Sequence, residues 1–177
     1  QGPWSERRKF TATLGLLALL IPWQAVRSQV ATAYTFSASA GTYQEITGGT
    51  ALWNNNFDDN VSSAQTIPSF LFNGTTYTTM FVSANGFITF GSAPGGTEYT
   101  PLSSTATYAR CVAAFAQDLV NAGSGTRDVR WQTVGNETVV QWRGIRRYRN
   151  VVQTWAENYA FQIRLDHSTG VIRSVYG

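Results

Sequence analysis

Phe70-Leu71-Phe72-Asn73-Gly74-Thr75-Thr76-Tyr77 consists of two short runs of aromatic and β-branched residues joined by Asn-Gly. That dipeptide suits a two-residue type I′ hairpin turn. Both central residues there need positive φ, which Asn and Gly adopt at least cost. Twelve residues on, Asn85-Gly86 separates residues 77–83 from Phe87-Ile88-Thr89-Phe90 and predicts a second hairpin of the same kind. Two such signals in succession predict a β-meander.

Working outward, the same texture continues. Residues 128–134 are strand-like and close at Gly135-Asn136, and residues 138–145 follow with Val139, Val140 and Trp142. The clearest strand is 158–165, where Tyr159, Phe161, Ile163 and Leu165 point one way and Ala160, Gln162 and Arg164 the other. That period-2 alternation predicts one core face and one wet face. The turn Asp166-His-Ser-Thr-Gly170 then leads into a strand at 171–176. Residues 103–116 are ambiguous, and their alanines can support a short helix before a buried strand at 112–115. The fold class predicted is all-β, an antiparallel β-sandwich of jelly-roll-like or meander type. The exception is a helical N-terminal signal peptide.

The N-terminus reads differently. Glu6-Arg-Arg-Lys9 precedes the apolar run 10–23, and small residues lead to a polar start at Gln29. A basic head, a 14-residue apolar stretch and a small-residue cleavage region match a secretory signal peptide. The apolar stretch is shorter than the roughly 20 residues a membrane span needs. We therefore assign 1–28 to the signal and 29–177 to an extracellular module with no membrane span. An apolar strand running up to Gly177 predicts that the module is truncated there and that the same chain carries further domains.

Removing 1–28 also resolves the charge. That segment holds four of the thirteen basic and one of the ten acidic residues, so nine of each remain and the module is formally neutral. The basic balance of the whole chain therefore belongs to the signal peptide and says nothing about nucleic acid, which is not expected as a partner. Charged residues make up 13% of the chain, aromatic 14% and hydrophobic 43%, enough apolar material for a packed core. One cysteine (Cys111) and one histidine (His167) exclude an internal disulfide framework and multi-cysteine or His-based metal clusters.

The residues also carry a family resemblance. Phe81-Val-Ser-Ala-Asn-Gly-Phe-Ile-Thr-Phe-Gly91 resembles the strand, Ser-x-Asn-Gly, strand, Phe-Gly core of nidogen-like extracellular domains. Ala113-Ala-Phe-Ala-Gln-Asp-Leu119 is similar to the buried strand ending in an acidic residue found in that family. Residues 138–145, 159–166 and 170–177 follow in the family's order. A further resemblance is to the N-terminal β-rich module of secreted Bacteroidota proteins, cargo of type IX secretion. It rests on Tyr34-Thr-Phe-Ser-Ala-Ser-Ala-Gly-Thr-Tyr43, Gly48-Gly-Thr-Ala-Leu-Trp53 and the pair Asp58-Asp59. It covers about residues 31–177. The resemblance implies a secreted or cell-surface location and an adhesive or ligand-binding role, and it supplies no catalytic residues.

Candidate chemistry is sparse. Asp58, Asp59 and Asn60, preceded by three asparagines, are hard oxygen donors of the kind calcium takes. They are equally ordinary turn formers. Asp118, just after an apolar strand, reads as a structural carboxylate, a ligand contact or an acid. Arg143, Arg146, Arg147 and Arg149 are the one local charge concentration, and their planar guanidinium forks suit carboxylate or phosphate. Trp142 and Trp131 fall on predicted strands and read as core. Trp53 and Trp155 flank loops and are the better candidates for stacking on a sugar ring.

The Gly-rich run 91–96 lacks the Lys-Ser/Thr of a phosphate loop. Cys111 reads as a small packed residue and His167 as an exposed turn residue rather than a nucleophile–base pair. Asn60, Asn73 and Asn136 head formal glycosylation sequons.

The reading that fits best is a noncatalytic extracellular module of a larger secreted or cell-surface protein, acting in adhesion or ligand binding. Its ligand would be an extracellular glycan or protein, contacted by Trp53, Trp155, Arg143, Arg146 and Arg147, with calcium the one cofactor considered. The alternative is a carbohydrate-binding unit attached to a polysaccharide-degrading enzyme. A glycoside hydrolase would need two facing carboxylates about 5–9.5 Å apart, and Asp118 with Glu157 is the pair to test.

Overall fold

The computed structural model describes residues 34–101, 110–149 and 157–177. The signal peptide assigned to 1–28 and the candidate Trp155 lie outside these residues, as does most of the ambiguous stretch before Cys111. Ten strands are formed: β1 (Thr50–Asn54), β2 (Gln65–Phe72), β3 (Thr75–Ser83), β4 (Phe87–Phe90), β5 (Cys111–Ala113), β6 (Leu119–Asn121), β7 (Asp128–Val134), β8 (Glu137–Arg147), β9 (Tyr159–Asp166) and β10 (Ile172–Tyr176). Among the described residues there is no helix, and hence none long and apolar enough to cross a membrane.

The strands form two antiparallel sheets. One is ordered β1-β7-β8-β9-β10, with β6 pairing the far end of β8; the other is ordered β2-β3-β4-β5. Both are mostly meanders, because hairpins connect strands that are neighbours in sequence. β1 joins the first sheet from a distance, and β6 returns the chain to that sheet after β5. Residues 35–177 constitute one compact unit.

The inner faces meet as the alternation predicts. Trp142 on β8 is fully buried, stacks on Phe161 of β9 with centroids 5.1 Å apart, and donates its indole N–H to Ser83 O on the opposing sheet at 2.9 Å. Trp131 makes a second bond between the sheets, to Gln65 Oε1 at 2.9 Å. Ile163 and Leu165 of β9 are buried with Phe70, Phe87, Phe90, Met80 and Ile88. Burial of each large side chain stabilises the fold by about 1.5–3 kcal/mol.

The two Asn-Gly turns differ. Asn73 and Gly74 both have positive φ (46° and 78°), as a type I′ turn requires, and Phe72 pairs directly with Thr75. At the second turn Ser83 pairs with Phe87 across three residues, and only Gly86 has positive φ (82°). The predicted type I′ hairpin is therefore a three-residue turn with glycine in the left-handed position. It is also buried. A Cβ at Gly86 would lie 3.1–3.2 Å from Leu119, Phe115 and Phe161 side-chain atoms, so the turn is packed into one end of the core.

The wet face predicted for β9 is likewise covered. Before β1, residues 43–48 cross the outer face of the first sheet from β10 to β7. Tyr43 packs on Gly177 beyond β10, Gln162 of β9 donates to Gln44 O, and Gln141 of β8 brackets Ile46. Arg130 of β7 donates to Thr47 O. Gln141 and Gln162 are fully buried and joined by a 2.9 Å bond. Their amides supply this strap with the hydrogen bonds that its backbone would otherwise take from water.

Candidate functional site

One end of the sandwich gathers the loop before residue 61, the β3–β4 turn, residues 95–101 and the β5–β6 connection. Asn85 is the junction. Its Nδ2 donates to Asp59 Oδ1 at 3.0 Å and to Glu98 O at 3.2 Å, and its Oδ1 accepts from the Leu119 N–H at 2.9 Å. Its own N–H donates to Ser83 Oγ at 3.1 Å. Asn85 is fully buried, and its bonds to Leu119 and Ser83 are shielded from water while those to Asp59 and Glu98 are partly so.

These bonds bring together carboxylates far apart in sequence. Asp58, Asp59 and Asp118 each place a carboxylate oxygen within 4.8 Å of the others. The pKa of Asp118 is raised by desolvation and then by the charge of Asp59. That of Asp58 is raised by desolvation, then by Asp59 and Asp118, with Arg146 opposing. Hard oxygens at this density suit a calcium ion, which would relieve their repulsion.

Asn60 is seen in the turn-forming role that the sequence reading also allowed it. Its Oδ1 accepts the Asp58 N–H at 3.0 Å and its carbonyl accepts the Ala84 N–H at 2.9 Å. It closes the turn that presents Asp58 and Asp59, and Asp118 supplies the third carboxylate.

The arginines do not form a single patch. Arg143 lies on the outer face, bonded to buried Asp128 (2.7 Å) and to Glu45 of the strap (2.6 Å). Arg147 and Arg149 both pair with Glu157. The charge of Arg146 opposes the rise in the Asp58 pKa. Trp53 is half-buried at the end of β1 with its ring 6.5 Å from that of Phe57.

Glu157 is held below the usual carboxylate range by hydrogen bonds from the Arg147 side chain. A general acid needs a raised pKa, so this argues against Glu157 itself in that role. The Cys111 thiol is pushed up to about 12, by burial and then by Glu98. His167 bridges Thr138 Oγ1 (2.9 Å) and Ser69 O (3.2 Å) at the opposite end of the sandwich.

Asn85 was the residue that turn chemistry misread. Its place in the Ser-x-Asn-Gly motif was the available signal, but only the buried packing around Gly86 reveals its role.

The profile of a family described as NIDO related matches residues 33–177 of the chain. No curated protein and no solved structure matches it.

Proposed function

Because the chain belongs to the NIDO-related family, whose domains are extracellular modules, we propose that it is a noncatalytic module of a larger secreted or cell-surface protein. On this reading residues 1–28 direct its export, and adhesion or ligand binding takes place at the loop end of the sandwich. The observation that carries the proposal is the convergence of Asp58, Asp59 and Asp118 on one spot, held by the buried Asn85. Most other acidic side chains have internal partners: Asp128, Glu45, Glu137 and Glu157 are all in ion pairs, and Asp166 caps a turn. Among the described residues Asp58, Asp59 and Asp118 form no ion pair, and Asp59 is bonded to the Asn85 amide.

In this reading Asp58, Asp59 and Asp118 hold calcium, and the ligand is an extracellular glycan or protein. Trp53 favours the carbohydrate-binding alternative, since its half-buried ring lies on the strand leading into the Asn54–Asn56 loop and Asp58.

The experiment is calorimetric titration of the module with calcium chloride, followed by a glycan and matrix-protein array with and without calcium. We expect binding that disappears in the Asp58→Ala, Asp59→Ala, Asp118→Ala triple variant. Array binding unchanged in that variant would move the site elsewhere.

A further inference from the structure

Residues 43–48 are held on the first sheet by the sheet's side chains rather than by strand pairing. Gln141 is the centre of this contact. Its Oε1 accepts the Ile46 N–H at 2.9 Å and its Nε2 donates to Ile46 O at 3.2 Å, so one amide reads both backbone groups of one residue. Gln162 Nε2 donates to Gln44 O at 2.7 Å and to Gln141 Oε1 at 2.9 Å, which fixes the way the Gln141 amide faces. Arg130 donates to Thr47 O at 2.7 Å, and Arg143 pairs with Glu45 at 2.6 Å.

The strap itself buries little. Ile46 is buried and Tyr43 half-buried, while Gln44, Glu45, Thr47 and Gly48 are exposed. One aliphatic anchor, backbone bonds to either side of it and one ion pair make up the contact of a docked extended peptide. Main-chain bonds give such a contact its affinity, and the pocketed side chain gives its specificity.

The face beneath can stand without its cover. Asp128 keeps its pairs with Arg130 and Arg143, which are contacts within β7 and β8, and the two glutamine amides can be met by water. Segments with few buried apolar contacts open locally at lower cost than the sheet they lie on. Gly48-Gly49 joins the strap to β1, and residues 35–42 on its other side are exposed and belong to no strand.

We propose that residues 43–48 act as an intramolecular ligand, and that the outer face of β7, β8 and β9 is a second binding surface masked by them. Its partner is an extended segment of another protein, carrying an acidic residue followed by an aliphatic one as Glu45-Ile46 does. Strap and partner compete for the Gln141 and Gln162 amides, so opening of the strap governs access. This surface is independent of what the loop end binds.

The test uses the chain without residues 1–28, which lie outside the compact unit, and a fluorescein-labelled peptide of the strap sequence, Thr42-Tyr-Gln-Glu-Ile-Thr-Gly-Gly49. Fluorescence anisotropy compares the wild-type chain with Ile46→Asp, which loosens the strap and leaves every residue of the sheet in place. We expect the peptide to bind Ile46→Asp at least about tenfold tighter than wild type, because the competitor in the same chain is weakened. Adding Gln141→Ala should abolish that binding. No binding to Ile46→Asp overturns the proposal, as does equal binding to both chains or binding that survives Gln141→Ala. Circular dichroism checks folding. If Ile46→Asp misfolds, hydrogen exchange of the wild-type chain decides, with the Ile46 amide expected to exchange at least about tenfold faster than the amides of β8 and β9. Equal rates would mean that the strap opens only with the sheet, which overturns the proposal.

Discussion

Asn85 and Asp59 are joined by a 3.0 Å hydrogen bond that ties the buried β3–β4 turn to the exposed loop carrying the first two carboxylates. The same amide accepts from Leu119 N–H, immediately after Asp118, so one side chain positions both halves of the cluster. Asn85→Ala leaves the Leu119 N–H buried without a partner. The expected loss is about 2–4 kcal/mol in urea unfolding. Asn85→Asp should cost more, because it brings a carboxylate against Asp59 and the Glu98 carbonyl. A midpoint unchanged by Asn85→Ala would mean that the loops are held by other contacts.

Asp118→Asn tests the repulsion. The folded pKa values of Asp58 and Asp118 are raised, so the folded state holds their protons more tightly than the unfolded chain does. Their contribution is most favourable at acid pH and is lost as pH rises through the raised values. In chelator at neutral pH, Asp118→Asn should raise the Tm, and the gain should vanish at acid pH. With millimolar calcium the order should reverse, since ligand binding to the folded state stabilises only the protein that retains the site. A wild-type Tm insensitive to calcium would count against the metal.

The strap depends on Gln141. Gln141→Ala removes two bonds to Ile46 and one from Gln162, all buried. We expect a loss of about 2 kcal/mol. Hydrogen exchange should show the Ile46 amide losing protection before the amides of β8 and β9. Equal loss across all three would indicate that strap and sheet open together.

Trp142→Phe probes the contact between the sheets. It removes the bond to Ser83 O and leaves a cavity beside Phe161, for an expected cost of about 2–4 kcal/mol. Trp53→Phe, at a half-buried position, should cost less. Guanidinium denaturation of the two variants compares them directly.

Asp166 caps the β9–β10 turn by accepting from Ser168 N–H, Ser168 Oγ–H and Thr169 N–H. Hydrogen bonding to Ser168 is the main reason its pKa falls to about 2. A depressed carboxylate contributes stability above its unfolded value, and that contribution is lost as pH falls through the folded one. Carboxyl NMR should show Asp166 titrating near pH 2, with the acid limb of stability between about pH 4 and 2. Asp166→Ala should flatten that limb.

Much of the fold was legible without coordinates. The strand 158–165 and the hairpin at Asn73-Gly74 follow from alternation and turn chemistry, which act over a few residues. β1 and β6 were not anticipated: β1 lies among turn formers, and β6 is a three-residue strand whose existence depends on β8. The Asn85-Gly86 turn was seen as a turn but given the wrong type, since its geometry answers to Leu119, Phe115 and Phe161 rather than to its own dipeptide.

The sequence by itself determined the all-β class, the strand faces and the family, because these rest on local backbone preference and on the period of the apolar residues. Tertiary structure decided what the faces meet. Only folding brings Asp118 to Asp58 and Asp59, pairs Arg143 with Asp128 and Glu45 and Arg147 with Glu157, and lays the strap over Gln141 and Gln162. Alternation shows that a strand has two sides. It carries no record of which distant segment covers the second one.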